Sequence, residues 1–211
     1  MASARGAALW IVAAVGYLTL EAMAAVSFSP GYSYARNYIS DLGLPSGSLV
    51  HGQVIDSPRA YLMHAAFYLQ GGLFLLGALL LAGIPDNRRA RIFLGTVTVN
   101  AVGNIVIGTV HTGRVHVAGA LLAIVGGNAA IWLGSATIGL VAGQRWYRRG
   151  SKCLAALGLS CLVMLTINSA TKTALLPDGI WERGSVYSIT VWQLLTAVCV
   201  LIPSRRPARP N

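Results

Sequence analysis

Acidic residues are scarce in this chain. There are six among 211, against 16 lysines and arginines, and charged residues make up only 10% of a sequence that is 55% hydrophobic. A soluble domain carries about 25% charged residues. So thin a supply of charge cannot cover a water-exposed surface, which excludes a freestanding soluble enzyme or binding module and calls for lipid around the chain. Lysine is rarer still, with Lys152 and Lys172 alone, so arginine carries most of the formal net charge of +10. Those arginines fall in short intervals between apolar runs. That placement argues against a nucleic-acid-binding face and for topology determinants facing anionic lipid. The three cysteines, Cys153, Cys161 and Cys199, are odd in number, sit in apolar segments and lack metal-ligand spacing. A disulfide framework is thereby excluded, and they read as small hydrophobes. The sequence also has no His-Glu-x-x-His and no Gly-x-Ser-x-Gly motif, the signatures of the helical zinc protease and the nucleophile elbow.

What is present is a series of apolar runs. A membrane-crossing helix needs about 20 apolar residues. Six runs meet that length, at about residues 7–28, 60–84, 92–110, 116–143, 153–176 and 185–202. The fold class is therefore all-α, an integral membrane six-helix bundle forming a single transmembrane domain over residues 1–211. Ala22-Met-Ala24 resembles a signal-peptidase site, but the run is long for a signal peptide and Glu21 is out of place beside a cleavage point, so the first run reads as a span.

Basic residues assign an orientation. Arg5, Arg88, Arg89, Arg91, Arg145, Arg148, Arg149, Lys152, Arg205, Arg206 and Arg209 flank one side; Arg36, Arg59, Arg114 and Arg183 flank the other. The positive-inside rule then predicts cytoplasmic N- and C-termini and a long first extracytoplasmic loop over residues 29–59. The expected location is the bacterial cytoplasmic (inner) membrane, multi-pass. Gly119, Ala123, Gly127, Ala130 and Gly134 in the fourth span, with Gly95, Gly103 and Gly108 in the third, predict close packing of these two antiparallel neighbours.

The polar residues of the spans are not spread evenly in depth. At about 1.5 Å per residue, Glu21, Asn104 and Asn168 lie roughly 10 Å below the outer ends of their helices. His64 is one turn in, Lys172 is near its span end, and Gln70, Asn100, Asn128 and Gln193 lie toward the middle. Buried polar groups in a membrane face the bundle interior or a cavity. The expectation is an outward-facing polar cavity beneath the loop segment 37–43, with Asn37, Ser40, Asp41, Glu21, His64, Asn104, Asn128, Asn168, Lys172, Glu182 and Arg183 as its candidate ligand-binding residues. Inter-helix hydrogen bonding accounts for the same asparagines and glutamines without a ligand. Glu21 and Lys172 are expected to form an ion pair between the first and fifth spans. Asp41 and Ser40 equally suit the capping of a turn.

All four histidines, His51, His64, His111 and His116, fall on the predicted outer side. Imidazole with carboxylate is a normal zinc set, which makes His111 and His116 metal candidates, although their spacing across a turn does not match a helical ligand pair. Three functions are consistent with this pattern. The first is binding of an outer-leaflet lipid or small amphiphile, or service as a membrane-complex subunit, with membrane lipids and membrane proteins as partners, no nucleic acid and no obligatory cofactor. The second is a membrane-embedded metal-dependent hydrolase or transferase using outer His and Asp residues. The third is a small-molecule transporter, disfavoured by the shortage of polar residues in the inner half, since alternating access needs a path on both sides.

Ile39-Ser-Asp-Leu-Gly43 ahead of the second span, His116, Gly126-Gly-Asn128 in the fourth, and Glu182-Arg183 before Tyr187 and Trp192 resemble the multi-span bacterial family catalogued as domain of unknown function 998. The resemblance covers most of the chain and implies about six spans, with no activity to carry over. The turn Val110-His-Thr-Gly-Arg114 departs from the Phe-Pro that the resemblance leads one to expect there.

Overall fold

Inside a bilayer the backbone has no water to bond, so each apolar run must satisfy its own amides as a helix. The computed structural model describes residues 1–50, 52–83, 85, 87–171 and 175–202. Among these it has seven helices: α1 Ala2–Val26, α2 Ala60–Ala82, α3 Arg88–Thr109, α4 Gly113–Gly134, α5 Gly139–Ala142, α6 Arg145–Thr171 and α7 Asp178–Leu201. All but the short α5 are long and apolar enough to cross a membrane, giving six candidate spans.

The helix ends differ from the apolar runs where charge interrupts hydropathy. The fourth run divides into α4 and α5, joined by a turn at 135–138. The basic interval at 144–152 is helical and forms the start of α6. Most consequentially, α7 begins at Asp178, so Glu182 and Arg183 belong to its first two turns rather than to a connecting turn. Asn87 caps α3 by accepting a hydrogen bond from Ala90 N at 2.9 Å.

The six long helices close into a ring. Each packs on the next in the order α1, α2, α3, α4, α6, α7, and α7 returns to α1. Glu21 near the end of α1 meets Arg183 near the start of α7, so these two helices are antiparallel and those two ends lie on one side of the bundle, called the loop end below, which the loop 29–59 covers. Arg5, Arg88, Arg89 and Arg145 are at the opposite side, the basic end.

Small residues set the tightest contact, between α3 and α4. A Cβ on Gly103 would stand 2.3 Å from Ala123 N and 2.6 Å from Gly119 O, so the two backbones touch as the spacing of small residues predicts. The basic half is filled by Trp10, Phe74, Phe93, Tyr147 and Trp192. Their polar edges are satisfied: Trp10 Nε1 donates to Phe74 O at 3.0 Å, Trp192 Nε1 to Ser151 Oγ at 3.0 Å, and the Tyr147 hydroxyl bonds Thr196 Oγ1 at 2.7 Å. A second cluster, including Tyr17, Ile39, Leu42, Met63 and Phe67, lies at the loop end.

The loop is itself folded. It contains a 3-10 turn, Ile39–Gly43, and a two-residue hairpin, β1 Leu49–Val50 with β2 Gln53–Val54, in the register Leu49↔Val54 and Val50↔Gln53. Ser29 and Asp56 exchange backbone hydrogen bonds at 2.9 and 3.0 Å and fasten the two ends of the loop together. His51 lies outside the described residues.

The α3–α4 contact makes a prediction. Gly103→Leu should destabilise the protein by about 1–3 kcal/mol through overpacking. Gly95→Leu, where an added Cβ meets nothing within 4 Å, should melt near wild type in detergent.

Candidate functional site

The loop end is organised by one buried arginine. Arg183 is 7% exposed and Glu21 is 1% exposed. Arg183 Nη2 donates to Glu21 Oε1 at 3.2 Å and to the Tyr32 hydroxyl. Nη1 donates to three carbonyls, Tyr34 O at 2.7 Å, Asn37 O at 2.9 Å and Gly179 O at 3.2 Å. The guanidinium also lies over the rings of Tyr32 and Tyr34, at 5.3 and 4.9 Å from their centroids. Glu21 Oε2 accepts from the Tyr187 hydroxyl at 2.8 Å. A planar guanidinium with five fixed donors suits this convergence of a carboxylate and carbonyls better than an ammonium does. Among the described residues the ion-pair partner of Glu21 is Arg183; Lys172, which the sequence suggests for that role, lies outside them, and α1 packs against α2 and α7.

The rest of the first two turns of α7 holds the loop from the same side. Glu182 Oε2 accepts from Ile39 N. The Tyr38 hydroxyl donates to Asp178 Oδ2 at 2.8 Å. Burial, helped by this bond to a carboxylate, pushes the Tyr38 phenol up to about 12, so it stays protonated and keeps donating. Burial raises the Tyr32 phenol as well, against the opposing pull of Arg183. Gly179 allows the contact: a Cβ there would stand 2.5 Å from Asn37 O and 2.7 Å from Ala35 O. Within the turn, Asp41 Oδ2 accepts from Tyr38 N at 2.9 Å and Asn37 Nδ2 at 3.3 Å, and His64 Nε2 bonds Gly43 O at 2.7 Å.

Beneath this pinned turn lies a cavity of about 500 Å³. That volume is within the range of small-molecule sites. Its roof is Tyr38, Ile39 and Ser40, and its walls come from α1, α2, α3, α4, α6 and α7. The lining is mainly apolar, with Gln70, Asn100, Asn104, His116, Ser169 and Glu182 among its polar members. On one side it reaches the surface of the bundle. Helices α4 and α6 are in contact where Gly158 faces Asn128, a Cβ at Gly158 standing 2.0 Å from Asn128 Oδ1. Toward the loop end the lining includes Val117 and Leu121 of α4, 57% and 43% exposed, and the exposed Thr166 and Ser169 of α6. The cavity therefore opens sideways through the gap between α4 and α6.

Of the residues singled out from sequence, Ser40, Asn104, Glu182 and His116 line this cavity. Glu21, Arg183, Asn37 and Asp41 instead build the framework of its roof. Asn128 joins α4 to α7, donating to Ile124 O at 2.9 Å and Ser185 O at 3.0 Å and accepting from Ser188 Oγ at 2.9 Å. Asn168 Nδ2 donates to Leu176 O at 2.8 Å and Asp178 Oδ1 at 3.2 Å, closing the α6–α7 connection. His64 stacks on His111 with ring centroids 3.9 Å apart, while His116 Nδ1 bonds Val110 O at 2.7 Å. Among the described residues, no three His, Cys, Asp or Glu side chains gather as a metal-ligating group. Tyr17, Tyr38, Phe67 and Ser169 also line the cavity. An aromatic or a serine in an apolar run gives no hydropathy signal, so the sequence reading leaves Tyr17, Phe67 and Ser169 out of the site.

Removing the arginine separates the framework from the cavity. Arg183→Met should cost about 3–5 kcal/mol, because it strands the Glu21 carboxylate in an apolar interior. Combining it with Glu21→Gln should recover part of that loss. Thermal melts of the two single variants and the double variant in detergent measure the coupling.

No curated protein and no solved structure matches the chain. A family model does match, over residues 11–199, under the description protein of unknown function, DUF998. That match spans all six long helices and both the roof and walls of the cavity. The chain belongs to the DUF998 family of membrane proteins.

Proposed function

We propose that this protein binds a lipid or small amphiphile in the cavity beneath the 3-10 turn, taking it in through the gap between α4 and α6. The single observation that carries this reading is the shape and polarity of the cavity. It has mainly apolar walls, polar residues at its loop end and deeper at Gln70, Asn100 and Asn104, and an opening toward the surface of the bundle. A molecule with a polar head and an alkyl chain matches that mixed lining. Its head sits at Ser40, His116, Ser169 and Glu182, and its chain runs between Phe67, Ile107 and Ile189. The filled basic half supports binding over transport, because Trp10, Phe74, Phe93, Tyr147 and Trp192 pack together there.

The reading also places the loop end outside the bacterial cytoplasmic membrane. The support is the distribution of arginine and lysine, most of which flank the basic end. The bound molecule then comes from the outer leaflet.

Two measurements test these statements. Ala120 lines the cavity, and Ala120→Phe should fill part of it and sharply reduce the lipid retained through purification, as read by native mass spectrometry. Equal retention in a variant that melts like wild type would refute the cavity as the binding site. For orientation, Ser48→Cys should react with a membrane-impermeant maleimide in intact cells. Labelling only after lysis would invert the topology.

A further inference from the structure

The cavity holds a single acid among the described residues. Among its described lining residues are one carboxylate, Glu182, and one imidazole, His116, and no lysine or arginine. Glu182 Oε2 accepts from Ile39 N. The one ion pair among the described residues is Arg183 with Glu21. Arg183, although next in sequence, is turned away from the cavity: its Nη atoms are committed to Glu21, Tyr32 and three carbonyls, and it does not line the space. The Glu182 carboxyl group thus faces a mainly apolar chamber with a backbone hydrogen bond and, among the described residues, no ion-pair partner.

The neighbouring groups add acceptors. The Tyr38 hydroxyl spends its proton on Asp178. Deeper in the wall, Gln70 is 5% exposed, and its Oε1 has no hydrogen-bond partner. A carboxylate in an apolar surrounding is costly until a cation or several donors meet it. A phosphate or carboxylate head brought here would meet the acid Glu182 and, for donors, the hydroxyls of Ser40 and Ser169, with no lysine or arginine among the described lining residues.

Resting on the amphiphile-binding reading above, we infer that the ligand carries an amine: an ammonium head that pairs with Glu182 while its alkyl chain fills the apolar part of the cavity. A phosphate-headed or neutral chain of equal length is selected against. An amino-headgroup lipid and a single-chain amine both supply that chemistry.

The test is a head-group series at constant chain length. Octylamine, octanol and octyl phosphate are titrated calorimetrically into the purified full-length protein in detergent, with Ala120→Phe giving the background. Octylamine should bind about tenfold or more tightly than the other two, the size expected for a charge-assisted hydrogen bond in an apolar site. Glu182→Gln keeps an acceptor for Ile39 N and removes the charge, and it should abolish the octylamine advantage. If octanol or octyl phosphate matches octylamine in wild type, or if Glu182→Gln retains the preference, the charge assignment is overturned and the cavity reading stands. If all three probes give the same signal in wild type and in Ala120→Phe, the cavity reading itself is overturned. The wild-type series decides the matter even where Glu182→Gln fails to fold. Competition of octylamine by phosphatidylethanolamine then separates the sources: displacement supports an amino-headgroup lipid, and its absence supports a single-chain amine.

Discussion

A guanidinium buried at one end of a membrane bundle needs partners for its charge, and that requirement shapes everything around it. Arg183 reaches α1 through Glu21, its own helix through Gly179 O, and the loop through Tyr32, Tyr34 and Asn37. None of these contacts is negotiable in isolation, because a lost partner leaves a charge or a carbonyl without compensation in a medium that offers little water. The loop 29–59 is therefore held as a built roof. The 3-10 turn lies across the ring because its flanking carbonyls belong to Arg183 and its first amide belongs to Glu182.

This division of labour between adjacent residues explains how a cavity can exist in a small bundle. The basic half closes on itself with interlocking aromatics, and glycines such as Gly77 make room for Trp10, whose Cδ1 would lie 2.2 Å from an added Cβ. The loop half cannot close in the same way. Its roof is spanned from α7, and α4 and α6 separate above Asn128 and Gly158. Polar side chains at this depth bond chiefly to backbone carbonyls across helices, as Asn100 does with Ala123 O at 2.6 Å, so they brace the walls around a space instead of filling it.

Much of this was legible in the sequence, and the omissions have physical causes. Six spans follow from hydropathy alone, and the α3–α4 contact follows from glycine spacing. The concentration of Glu21, Asn104 and Asn168 toward one end pointed to a polar cavity under the segment 37–43; the cavity there is mainly apolar, and of these three Asn104 lines it, with Ser40 and Glu182. Hydropathy misplaced the start of α7, since Asp178, Glu182 and Arg183 depress it although they are helical. That error hid Arg183 as the partner of Glu21 and favoured Lys172, the cation nearest in depth. A count of depth along a helix also carries no azimuth. It could not tell that Asn128 faces α7 as a strut while Asn104 faces the space, nor that Glu182 and Arg183, one residue apart, look in different directions.

Glu21 and Arg183 are separated by 162 positions in the chain. During synthesis the carboxylate is made with the first helix, and its counter-charge arrives only with the last. Every intermediate stage of insertion therefore carries an acid in α1 that lacks its eventual partner, a condition that the bilayer resists. The bond that closes the ring must wait for the last helix. A chain that lacks α7 keeps an acid near the end of α1 without this partner.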